Sequence, residues 1–191
     1  MPGTQHTVGN KTFSGSETLR RRVLGIDPGL ASTGWGIVDF AVSRYRLVDY
    51  GVIETKKDSA HGERLLTIYN HMTAIINEYK PDEAGMETLF FAKNVSSAMG
   101  VAESRGVLIL CLTQNCVDLQ EYAPNVIKQS VCGTANADKH LVQHYVKLLL
   151  GLQTIPKSDH SADAIAAAIT HIHTSGTGRS NINHEYGIKS H

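Results

Sequence analysis

The chain has 191 residues, of which 41% are hydrophobic, and its 18 Lys plus Arg are balanced by 18 Asp plus Glu to a formal charge of zero. That length and apolar content fit one globular domain and leave no room for two full lobes. The charge balance excludes the strongly acidic, disordered class and removes a domain-wide basic excess as an argument for nucleic-acid binding.

In chain order, residues 1–21 open with a Thr/Ser/Gly-rich stretch that lacks the apolar run of a secretory signal, and they are expected to form a disordered tail. The domain is expected over residues 22–174. Val23–Asp27 is a short apolar strand ending on a carboxylate, Pro28-Gly29 breaks it, and Thr33–Asp39 alternates like a second strand, so the two are expected to pair antiparallel. Arg46–Thr55 reads as a third strand. Leu65, Leu66, Ile68, Tyr69, Met72, Ile75 and Ile76 recur at helical spacing up to Pro81. Ala84–Glu87 is a short buried strand, again ending on a carboxylate. A helix from Val95 to Thr113, a strand Val117–Tyr122 and a short helix opened by Pro124 follow. Ala137–Leu150 and Ser161–His173 read as the last two helices, and residues 175–191 as a loose polar tail. Strands followed by alternating helices and strands give an α/β layer fold with a mixed central sheet.

The longest apolar run near a helix, Gly106–Leu112, is far below the roughly 18 residues of a membrane span, so no membrane association is expected. Three cysteines, Cys111, Cys116 and Cys132, without a CxxC pair suit reduced thiols in a cytoplasmic setting.

The chemistry lies in carboxylates at element ends. Asp27 closes the first strand, Glu87 the fourth, and Asp163 sits in the first turns of the last helix. In an open α/β sheet such ends meet at one edge, where sites gather. Clustered carboxylates repel unless a cation lies among them, and hard oxygen ligands suit Mg²⁺ or Mn²⁺. Each acid also has an ordinary structural reading, as a turn residue, an exposed acid or a helix N-terminal acid. On helical spacing both Asp159 and His160 lie near the face of Asp163.

Gly25-Ile-Asp-Pro-Gly29, Thr33-Gly-Trp-Gly36, Glu87 with Phe90-Phe-Ala-Lys-Asn94, Glu103-Ser-Arg-Gly106 and the segment Ala162–His171 closely resemble, in order, the RuvC family of bacterial Holliday-junction resolvases. The resemblance implies a ribonuclease-H-like three-layer fold with a mixed central β-sheet flanked by helices. It implies a crossover junction endodeoxyribonuclease that nicks four-way DNA junctions in recombination and repair, works as a homodimer and acts with the branch-migration proteins RuvA and RuvB. Two Mg²⁺ ions per active site are implied, with Mn²⁺ able to substitute. Asp27, Glu87 and Asp163 match the family's catalytic acids, and the register places His160 at the fourth ligand, where many members have Asp and some His. Asp159 then becomes an N-cap residue.

Lys128 and Lys139 match basic positions that the family places near the scissile phosphate. Phe90 matches an aromatic that stacks on unpaired bases, although one of Phe90 and Phe91 is equally a core aromatic. Lys93, Asn94 and Arg105 are expected to make phosphate or polar contacts. Two other classes compete. Asp27-Pro-Gly with Thr33 also looks like the first phosphate loop of actin and sugar-kinase ATPases, whose second lobe is not visible in this length. A junction-binding module without catalysis has the histidine at position 160 as its support.

Overall fold

The computed structural model describes residues 20–88 and 95–175, the side chains of 95–97 excepted. Of the tails expected at residues 1–21 and 175–191, residues 1–19 and 176–191 lie outside the described residues, as do Phe90, Phe91, Lys93 and Asn94. The chain runs β1 (Arg21–Asp27), β2 (Ser32–Ala41), β3 (Arg44–Glu54), α1 (His61–Tyr79), β4 (Glu83–Glu87), α2 (Val95–Gln114), β5 (Asp118–Tyr122), α3 (Pro124–Cys132), α4 (Lys139–Leu149) and α5 (Asp159–Ser175). The five strands form one mixed sheet in the order β3-β2-β1-β4-β5. β1, β2 and β3 pair antiparallel, while β1–β4 and β4–β5 are parallel.

Strand alternation divides the core into two layers. Val23, Val38 and Tyr122 point to one face, where α3, α4 and α5 cover them; Leu24, Ile26, Ile37, Ala84 and Met86 point to the other, under α1 and α2. α1 ends where Pro81 forbids another turn, with Lys80 in the left-handed region at φ 49°. α4 starts at Lys139 rather than at Ala137, because the Asp138 side chain accepts the Leu141 N–H at 2.8 Å and so caps the helix. The β2–β3 turn uses Val42 and Ser43 at φ 51° and 57°, positions where no glycine or asparagine signals a hairpin.

α5 packs unusually close to the sheet. A Cβ on Gly25 of β1 would overlap the Ala164 carbonyl, and one on Gly34 of β2 would overlap the His160 carbonyl. Gly85 of β4 lies likewise under Ala167, so the helix backbone rests almost directly on strand backbone.

The opposite ends of the central strands are held by charge. Asp39, only 4% exposed, accepts Arg22 Nε at 2.7 Å and Nη2 at 3.0 Å and Arg46 Nη2 at 3.0 Å, with Arg20 at 3.6 Å. Glu83 takes a bidentate pair from Arg21 at 2.8 and 2.9 Å and His171 Nε2 at 2.6 Å, and His171 Nδ1 lies 2.9 Å from the Tyr122 hydroxyl. Arg21 also donates to Ser175 Oγ at 2.5 Å, so both residues, assigned to the tails on composition, are ordered parts of β1 and α5.

Burial opposes the charge of Asp39, but the hydrogen bonds from Arg22 and Arg46 outweigh it and hold the carboxyl below its ordinary range. The stabilisation is therefore present above the unfolded-state pKa of about 3.9 and is lost as pH falls through the lower folded value. Asp39→Asn is expected to cost about 3 kcal/mol at neutral pH, since it takes the charged partner from the largely covered Arg22 guanidinium, and to flatten the decline of stability below about pH 4. Urea unfolding of both proteins across that range is the measurement; parallel acid limbs would contradict it.

Candidate active site

Period-two alternation puts Asp27 two residues beyond Gly25, and Glu87 two beyond Gly85, on the face covered by α5. β1 and β4 are parallel neighbours with Ile26 opposite Met86, so the two acids stand side by side at the carboxyl edge of the sheet. Asp27 is paired across the antiparallel ladder with Gly34, and the missing side chain there lets His160 settle against it. Thr33 fixes the intervening turn by donating to the Gly29 carbonyl at 2.6 Å, and Thr55 ties it to β3 by donating to the Leu30 carbonyl at 2.6 Å.

α5 adds the remaining groups from its first turns. His160 Nδ1 lies 2.7 Å from Asp27 Oδ2, and the Asp163 carboxylate is 3.5 Å from Lys139 Nζ. A cavity of about 280 Å³ is lined by Glu87, Asp163, Lys128 and Lys139, with Pro124, Ile127 and Val142 as its apolar wall. The fold thus gathers Asp27, Glu87, His160, Asp163, Lys128 and Lys139 at one end of the sheet.

Arg105 is not among them. Its guanidinium makes a bidentate pair with Glu121 at 2.5 Å for each bond, and Glu121 lies on the α2 face of β5, away from the pocket. The N-cap reading of Asp159 is also corrected. The residue is the first of α5, the Ser158 carbonyl accepts the Ala162 N–H, and the Asp159 carboxylate turns to α4, where it meets Lys139 Nζ at 3.1 Å and Gln143 Nε2 at 2.7 Å. Gln143 and the apolar wall were not singled out from sequence. The i, i+4 spacing of Lys139 with Gln143 and of Asp159 with Asp163 was the available signal.

The electrostatics are those of a crowded anionic site. Burial first, then the charges of Asp27 and Asp163, push the Glu87 carboxyl up to about 7, with Lys128 and Lys139 opposing. Burial also raises Asp163, against Lys139. The hydrogen bond to Asp27 raises His160 above the ordinary imidazole range, against burial. Among the described residues no three acid, histidine or cysteine side chains form a ready coordination sphere, with Asp27 engaged by His160 and Asp163 by Lys139. The donor set nevertheless suits a hard divalent cation. It comprises three carboxylates and one imidazole, and burial, followed by the charges of neighbouring acids, raises Glu87 and Asp163, a cost that a bound cation would relieve.

A family profile described as crossover junction endodeoxyribonuclease RuvC matches residues 23–171. A crossover junction endodeoxyribonuclease RuvC of Treponema denticola is 52% identical over 168 residues, covering 88% of this chain and 94% of its own length. One from Chloroflexus aurantiacus is 49% identical over 156 residues, covering 82% and 95%. Among solved structures, T. thermophilus RuvC in complex with Holliday junction substrate superposes with a TM-score of 0.79 at 29% identity, over 83% of this chain and 96% of that one.

The seating of α5 on glycine is directly testable. Gly34→Ala is expected to lower stability by about 2–3 kcal/mol in urea unfolding, because backbone rather than a flexible side chain must move. Gly62→Ala in α1, where a Cβ meets nothing within 4 Å, is expected to raise stability by up to about 1 kcal/mol through helix propensity. Equal effects of the two substitutions would refute the close-packing account.

Proposed function

Because the chain belongs to the RuvC family of crossover junction endodeoxyribonucleases, we infer that it resolves four-way (Holliday) DNA junctions by paired, symmetric nicks in recombination and repair. The observation that carries the local chemistry is the convergence of Asp27, Glu87 and Asp163 at one end of the sheet, beside a cavity that Lys128 and Lys139 also line. Nucleases of this family are metal-dependent, and Mg²⁺ is the ion proposed here, two per site, with Mn²⁺ as a substitute. Asp27, Glu87, His160 and Asp163 would hold the ions. When bound, they supply an activated water for in-line attack on the phosphodiester and charge for the leaving oxygen.

The protein's own groups do the rest. Lys128 and Lys139 reach the cavity from α3 and α4 and hold the phosphate, countering the charge that grows on it during displacement. Pro124, Ile127 and Val142 give the cavity a dry wall, which strengthens those interactions. Phe90, Lys93 and Asn94 are assigned to unpaired bases and backbone of the junction. Arg105 is likewise assigned to a phosphate or polar contact, from a guanidinium that Glu121 of β5 holds in place.

Two symmetry-related strands require two sites, and a homodimer supplies them. Leu66 of α1 and Met99 and Leu110 of α2 are 56%, 61% and 54% exposed, an apolar set on the layer opposite α5 that suits a second copy. RuvA and RuvB are the proposed branch-migration partners, and the cytoplasm the proposed location. Among the described residues no helix is long and apolar enough to cross a membrane. The nuclease domain is proposed over residues 22–174.

Incubation of a mobile four-way junction with Mg²⁺ is expected to give paired symmetric nicks. Asp27→Asn should lower cleavage at least ~1,000-fold while junction binding persists, the loss expected when transition-state charge is no longer organised; retained cleavage would overturn the assignment. Leu110→Asp is expected to shift the protein to monomer in sedimentation and to abolish paired nicking. A dimer that survives this change would place the interface elsewhere.

A further inference from the structure

Lys139 is a long, half-exposed side chain that must present its ammonium to a phosphate, and a lysine tether of four carbons does not by itself hold such a position. The structure shows what does. Asp159 splits its carboxylate, Oδ2 lying 3.1 Å from Lys139 Nζ and Oδ1 accepting Gln143 Nε2 at 2.7 Å. Gln143 is only 7% exposed and stands one helical turn after Lys139 on α4, as Asp163 stands one turn after Asp159 on α5. The buried amide therefore fixes the orientation of an otherwise exposed carboxylate, and that carboxylate fixes the lysine.

We propose that Asp159, oriented by Gln143, is a positioning residue that keeps Lys139 directed at the scissile phosphate. The inference rests on the reading of Lys139 as a phosphate-contacting group. Its logic comes from the shared lysine. Lys139 also lies 3.5 Å from Asp163, a proposed metal ligand. With a cation held by Asp163 that acid's hold on the ammonium would weaken, and Asp159 would remain the anchor that stops the lysine from swinging to solvent. An acid placed beside a DNA phosphate otherwise works against binding of a polyanion, so removing a carboxylate that served only at the surface would leave or raise the cleavage rate rather than lower it.

The test is a double-mutant cycle on junction cleavage, read as kcat and KM separately, together with junction binding in the absence of metal. Asp159→Ala is expected to lower kcat by about five- to tenfold through lost orientation, with KM unchanged or lower. Metal-free junction binding should be unchanged or tighter. In the Lys139→Ala background the same substitution should change kcat by less than about 1.5-fold, because the group it positions is gone. Gln143→Leu, which keeps the buried volume, should reproduce the direction of Asp159→Ala. Thermal unfolding confirms that each variant is folded before rates are compared. An equal loss in both backgrounds, or weaker metal-free binding, would assign Asp159 a merely structural role and overturn the proposal. An unchanged kcat in Asp159→Ala alongside a deficient Lys139→Ala would remove the positioning role alone. An unchanged kcat in Lys139→Ala itself would remove the phosphate role of the lysine and the inference with it.

Discussion

The contact on which this molecule depends is backbone against backbone. α5 lies across β2, β1 and β4 on positions 34, 25 and 85, all glycine, and meets them with the carbonyls of His160, Ala164 and Ala167. Ordinary side chains would hold helix and sheet apart. Here their absence brings the first turns of α5 down to the strand ends, where groups from distant parts of the chain join Asp27 and Glu87. The alanines of α5 continue the same fit, since Ala162, Ala164, Ala166, Ala167 and Ala168 are all fully buried. Dispersion over so many close small contacts replaces the interlocking of large side chains.

Charge is distributed along the strands in a way that the zero total conceals. At the amino ends of β1 and β4, Asp39 and Glu83 are surrounded by Arg20, Arg21, Arg22, Arg46 and His171, so each acid there is well paired. At the carboxyl ends the acids lie close together, and burial, with the charges of neighbouring acids, raises Glu87 and Asp163 against the lysines. One end of the sheet satisfies its carboxylates and contributes stability. The other crowds them beside the cavity, which is the usual separation of a scaffold from its site.

Much of this was legible in the chain. Strand alternation, helical spacing and turn residues located the elements among the described residues, and Asp27 and Glu87 were readable as strand-end acids that converge if their strands adjoin, which the β1–β4 pairing supplies. Asp163 and His160 came from the register of the Ala162–His171 segment. What escaped reading depends on contacts between distant segments. Gly25, Gly34 and Gly85 look like ordinary breaks in strand sequences, and only the packed helix reveals them as a seat. Arg105 reads as a phosphate or polar contact, and its pairing with Glu121 shows only when β5 lies against α2. Asp159 reads as a cap because it opens a helix, whereas α4 supplies stronger partners in Lys139 and Gln143. Val42 and Ser43 turn a hairpin without the residues that favour positive φ, so the β2–β3 ladder imposes the turn.

Position 160 combines two properties that seldom coincide. Its carbonyl is clamped above Gly34, whereas its side chain is nearly half exposed and meets the fold chiefly through Asp27. The backbone is thus committed while the functional group is free to vary. A carboxylate or an imidazole can be carried at the same point in space without repacking a neighbour. Evolution can therefore exchange the ligand chemistry at this corner independently of the architecture that holds it.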